Sequence, residues 1–127
     1  MKKKFNESAE DYLETILLLS KTLPVVRSVD IATEMDFKKS SVSVAMKNLR
    51  EKNLITVTDA GFIYLTDSGK ELAEKVYERH DVLTQYLISL GVPEAIAEED
   101  ACKVEHVISE ESFDALKSEW TKKKACK

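Results

Sequence analysis

Cys102-Lys103-Val104-Glu105-His106 puts a thiol, a carboxylate and an imidazole within five residues, and His106 is one of two histidines in the chain. In a helix, positions i, i+3 and i+4 share a face, so Cys102, Glu105 and His106 would converge. Three such groups can ligate a metal, serve an acid–base step, or simply line a polar helix face. The other histidine, His80, follows Val76 by four residues and precedes Leu83 by three. That is the apolar side of a long amphipathic segment, where a core histidine and a ligand are both compatible. Asp11 and Glu14 stand three apart beside the apolar stripe of an N-terminal helix, although acids in a first turn also suit the helix dipole with no ligand. Taken together, Asp11, Glu14, His80, Cys102, Glu105 and His106 offer mixed oxygen, nitrogen and sulfur donors. Several carboxylates in one set suit Fe(II) or Mn(II) better than structural zinc, whose sites use Cys and His at finger spacing. No Ser-His-Asp order, Gly-rich phosphate loop or Cys-x-x-Cys accompanies them, so the chain is not expected to be an enzyme.

The elements that must position these groups are short and mostly helical. At 127 residues the chain is long enough for one domain, or two small ones. It has no apolar run able to serve as a signal peptide or to span a membrane, so a cytoplasmic protein with two reduced cysteines is expected. Net charge is −4, but it is uneven. Residues 1–65 carry ten Lys/Arg and nine Asp/Glu, whereas residues 66–127 carry nine and fourteen. Residues 38–52 alone hold five cations and one anion. Affinity for phosphate follows the local patch, so an acidic chain can still bind DNA, and an acidic second half suits cations.

Residues 8–20 read as a helix capped by Ser8, with Tyr12, Leu13, Ile16, Leu17 and Leu19 inward. Leu23-Pro24 breaks it. Ser28 is expected to cap a short helix ending near Asp36. A third helix covers about 39–52, with Val42, Ala45, Met46 and Leu49 inward and Asn53 as its stop. Leu54–Thr58 and Phe62–Leu65 flank Asp59-Ala60-Gly61 and read as a hairpin. Thr66 or Ser68 then caps a long helix reaching Gly91; Ser68 with Glu71 has the capping-box pattern. Pro93 opens a helix to about Val107. Ser109 opens a last one with Phe113, Leu116 and Trp120, and the terminal Thr-Lys-Lys-Lys-Ala-Cys-Lys is expected to fray. Three helices followed by a hairpin is the order of a winged helix-turn-helix. The expected fold is mainly α: a winged helix-turn-helix DNA-binding domain over 1–66, then an all-helical metal-binding and dimerisation domain over 67–127. Candidate DNA contacts are Lys38, Lys39 and Lys47 for phosphates, Ser40, Ser41 and Ser43 for phosphates or base edges, and Arg27 and Ser28 at the start of the second helix. A merely solvated basic helix would show the same composition.

Ser8–Ile16, Val26–Ala32, Ser40–Ile55, Leu65–Leu87 and Glu98–Ser109 carry a resemblance to the diphtheria-toxin-repressor family of iron- and manganese-dependent transcriptional regulators. The most distinctive stretch is Glu98-Glu99-Asp100-Ala101-Cys102-Lys103-Val104-Glu105-His106-Val107-Ile108-Ser109. The resemblance implies a homodimer that binds palindromic double-stranded operators when loaded with Fe(II) or Mn(II) and represses metal-uptake genes. In the manganese branch the ligand positions correspond to Asp11, Glu14, His80, Cys102, Glu105 and His106. In the iron branch one site uses the positions of Asp11, Cys102, Glu105 and His106, and a second uses His80 and Glu98. The chain is a hybrid: Asp11 stands where the iron branch has Met, and Cys102 where the manganese branch has Glu. Glu98 replaces an iron-branch His, Ser40 a usual Pro, and Val44 a polar residue. Longer members carry an SH3-like C-terminal domain, and a short form without one is expected here. A metal is expected to offset the mutual repulsion of the clustered acids and so couple the ion to operator binding, with Leu87, Leu90, Phe113 and Leu116 as dimer-interface candidates. The competing expectation is a winged-helix regulator whose polar cluster is structural.

Overall fold

The computed structural model describes residues 9–125, so the expected Ser8 cap and the second cysteine, Cys126, lie outside the described residues. The described chain divides into two compact units, residues 9–76 and 77–125.

In residues 9–76, helix α1 (Ala9–Ser20) buries Tyr12, Leu13, Ile16 and Leu17. Helix α2 (Ser28–Met35) buries Ile31, Ala32 and Met35, and α3 (Lys39–Glu51) buries Val42, Met46 and Leu49. Period-3.6 apolar spacing is what lets all three helices pack around one core. Tyr12 meets Phe37 edge-on at 6.1 Å. Strands β1 (Ile55–Val57) and β2 (Ile63–Leu65) pair antiparallel, with Ile55 opposite Leu65 and Val57 opposite Ile63. Ile63 N–H also donates to the Val26 carbonyl (2.8 Å), pinning the α1–α2 loop to the wing.

The cap of α2 differs from expectation by one residue, and the other helix ends of this unit fall where expected, for identifiable reasons. Arg27, not Ser28, is the cap residue of α2; its N–H donates to the Asp30 carboxylate (2.9 Å). Asp36, at φ +58°, closes α2, and Asn53, at φ +61°, follows the end of α3; short polar side chains tolerate this left-handed geometry. Thr66, not Ser68, caps α4 (Asp67–Ser89): its hydroxyl accepts from Gly69 N–H (3.1 Å) and donates to the Asn53 carbonyl (2.7 Å). A residue already inside the first turn cannot satisfy the same donors.

In residues 77–125, the rest of α4 is followed by α5 (Glu94–Val104) and α6 (Glu110–Ala125). Helix α5 starts just after Pro93, as expected, but ends at Val104 rather than about Val107. Ser109 caps α6, its hydroxyl accepting from Ser112 N–H (3.1 Å). The C-terminal segment is helical to Ala125 rather than frayed. Trp120 stacks on Tyr86 at 5.8 Å, and Lys123 donates to the Ser89 hydroxyl (3.0 Å). Lys117 pairs with Glu78 at 2.9 Å. Of the interface candidates, Phe113 is buried beneath the Arg79 guanidinium (5.5 Å), Leu87 and Leu116 are half-buried, and Leu90 is exposed. No helix among the described residues is long and apolar enough to cross a membrane.

Candidate metal centre and nucleic-acid interface

Helix α4 carries His80, and the end of α5 carries Cys102, Glu105 and His106. Glu105 is 1% exposed. Its two carboxylate oxygens face different imidazoles: Oε2 lies 3.3 Å from His80 Nδ1, and Oε1 lies 3.5 Å from His106 Nε2. His80 Nδ1 is buried and makes no hydrogen bond among the described residues. Cys102, which forms no disulfide among the described residues, is buried one turn before Glu105. Burying a carboxylate is costly unless charge or ligation compensates it. Ligand atoms held about 2.1 Å from one ion stand roughly 3 Å from their neighbours, so the His80–Glu105 spacing fits two donors to one ion. Nitrogen, oxygen and thiol donors in one place fit a divalent transition ion.

His106 reaches Glu105 although it lies beyond the helix. Glu105 still has helical angles (φ −58°, ψ −23°), with its N–H donating to the Ala101 carbonyl (2.9 Å). The chain then turns, because Arg79 Nη1 takes the carbonyls of Glu105 (3.2 Å) and Ile108 (3.3 Å). Arg79 therefore fixes the bend that carries Glu105 and His106. Nothing in the local sequence around Cys102 announces that partner; only its place next to His80 could have drawn attention to it. Glu98 is half-buried one turn before Cys102, and it belongs to no group of three donor atoms lying mutually within 4.8 Å among the described residues. In the other unit, Asp11 and Glu14 on α1 are both 0% exposed, among the few buried charged residues of the described chain.

The DNA candidates lie on the surface of residues 9–76. Lys38, Lys39, Ser40, Ser43 and Lys47 are exposed, and Ser41 is half-buried. Arg27 is exposed, with its guanidinium 4.9 Å above the Phe62 ring, which holds it against the wing. Ser28, Ser43, Lys47 and Arg50 line one shallow groove of about 190 Å³ with Met46 and Val57. Arg50 was not singled out from the sequence, although its place three residues after Lys47 puts it on the same side of α3. Replacing Arg50 with Ala should weaken binding to all DNA sequences to a similar degree. The salt dependence of log K should flatten by about one unit if the side chain neutralises one phosphate. Binding titrations from 50 to 200 mM salt check this; an unchanged slope would remove Arg50 from the interface.

A winged helix-turn-helix bearing a cationic third helix, followed by helices with a buried carboxylate–imidazole–thiol cluster, defines a DNA-binding regulator class with a metal-sensing appendage. The chain belongs to the iron-dependent repressor family. Residues 4–61 match its N-terminal DNA-binding domain, and residues 66–127 its metal-binding and dimerisation domain. It is 34% identical to the transcriptional regulator MntR of Escherichia coli O6:H1 over 87% of this chain and 72% of that protein. An uncharacterised helix-turn-helix-type transcriptional regulator of Methanocaldococcus jannaschii is 32% identical over 88% of this chain and 91% of its own length. Among solved structures, a manganese-dependent transcriptional repressor in complex with manganese superposes with a TM-score of 0.82 and 25% identity. That match covers 90% of this chain and 53% of the other, so this chain spans about half the length of that repressor.

Proposed function

We propose that this protein is a cytoplasmic, metal-gated transcriptional repressor that binds a palindromic operator as a homodimer and performs no catalytic step. The observation that carries the reading is the buried Glu105 carboxylate set between His80 and His106, in a chain whose first half is a winged helix-turn-helix. His80, Cys102, Glu105 and His106 would hold Fe(II) or Mn(II). Asp11 and Glu14, which the family resemblance assigns to the same ion, would complete the set. A divalent ion supplies positive charge to an acid-rich group of donors. On this reading α3 enters the major groove, and Lys38, Lys39 and Lys47 neutralise phosphates. Arg27 and Ser28 anchor the start of α2 on the backbone. In a dimer, two copies of α3 must match half-sites about 34–36 Å apart, or a multiple.

Selection from a random DNA library, run anaerobically at fixed salt with Fe(II), with Mn(II) or with a chelator, tests this directly. Enrichment of a palindrome only with metal is expected, and the stronger of the two arms identifies the preferred ion. Equal enrichment in chelator would overturn the metal gate and leave an ungated winged-helix regulator.

A further inference from the structure

Helix α3 presents two faces. Val42, Met46 and Leu49 are buried in the core of residues 9–76. On the other side Ser40, Val44 and Lys47 follow one another at i, i+4 and i+7, and all are exposed. Val44 is 60% exposed. It is two residues from the buried Val42, and so lies roughly 200° round the helix axis from it. That places it near the middle of the outward face, with Lys38 and Lys39 at one end and Lys47 and Arg50 at the other.

A β-branched apolar residue gains little on a solvated helix face, where straight-chain or polar residues form better helix. Its surroundings are cationic, and cations of this density suit a phosphate backbone. Valine has no donor or acceptor to offer a base edge, so in a groove it can match only an apolar group. In the major groove that group is the C5-methyl of thymine. The flanking serines can donate or accept and so discriminate weakly, and the lysines act as point charges toward phosphates. Asn48, which could pair with adenine, instead shares a groove with Ala9 and Tyr12 on the α1 side. We infer that Val44 is a specificity-determining residue that reads a thymine methyl in each half-site. The inference rests on the DNA-binding reading of α3 given above.

The test begins with an operator selected by the full-length chain in Mn(II). Each thymine of a half-site is then replaced in turn by deoxyuridine, which removes only the methyl. Affinity is measured by fluorescence anisotropy at fixed salt for the wild type and for Val44→Ala. Alanine favours helix, so the variant is expected to fold. At one thymine position, deoxyuridine should weaken wild-type binding about three- to fivefold, the effect of burying one methyl group. Val44→Ala should bind the thymine operator more weakly and ignore that replacement. A wild type indifferent to every deoxyuridine, or a Val44→Ala variant as sensitive as the wild type, would overturn the assignment and leave the repressor reading intact. Failure of the metal-loaded chain to select any site would overturn the repressor reading and this inference with it.

Discussion

Replacing Glu105 with Gln should lower Mn(II) affinity by more than about 100-fold and abolish metal-dependent operator binding. Residues that merely orient a metal ligand already cost about 10- to 100-fold when lost, and Glu105 is placed to be a ligand itself, one oxygen toward each histidine. Glutamine keeps the volume of a side chain that is 1% exposed, so the packing around it survives. What disappears is the negative charge, and an amide oxygen is a far weaker partner for a divalent ion. A readout independent of DNA is the metal-induced rise in melting temperature. A ligand at 100 times its Kd stabilises the folded state by about 2.7 kcal/mol, or roughly 10 °C for a chain of this size. The wild type should show that rise and Glu105→Gln should not, while both melt within a few degrees of each other in chelator. Non-specific DNA binding at low salt should persist in the variant, because the cations of α3 are untouched. A variant that retained both the thermal rise and the operator response would remove Glu105 from the metal centre.

The helical framework was legible because its signals are local. Apolar spacing in α1 and α3, Pro24 and Asn53 as breaks, and Gly61 in the turn between β1 and β2 all act within a few residues, and each element appears where they place it. The end of α5 was not legible. Periodicity extends the helix through His106, but the carbonyls of Glu105 and Ile108 go to Arg79, more than twenty residues earlier. Glu105 nevertheless keeps helical angles, and His106 reaches its carboxylate from the turn beyond. The helical C-terminal segment was hidden for the same reason, since its order depends on Trp120 stacking on Tyr86 of α4. At the start of α4 two hydroxyls, Thr66 and Ser68, were both open as caps. Sequence alone shows which residues can cap, and the crossing of the chain at Asn53 decides which one does. The Arg27–Phe62 contact joins segments 35 residues apart and left no local trace.

Gly69 carries the largest expected effect on stability. It lies in the first turn of α4, where alanine would ordinarily strengthen a helix by up to about 1 kcal/mol. Here the sign should reverse. A Cβ at Gly69 would fall on the carbonyl oxygen of Leu54 and 2.9 Å from its carbonyl carbon. That oxygen already accepts the Thr66 N–H (3.1 Å), in the same crossing where Thr66 bonds the Asn53 carbonyl. The obstacle is backbone, so no side-chain rotation can relieve it; either α4 or the link from α3 to β1 must move. Overpacking of this kind costs about 1–3 kcal/mol or more. Gly69→Ala should therefore destabilise the chain by about 2 kcal/mol or more in urea, read as a lower midpoint at an unchanged slope. Ser68→Ala, an exposed neighbour in the same turn, should change the midpoint little and serves as the control. Because the strained link joins α3 to the wing, operator binding in Gly69→Ala should fall more steeply with temperature than metal binding does. A midpoint equal to that of the wild type would show that α4 does not pass Leu54 this closely, and the glycine would then have no structural reason to be there.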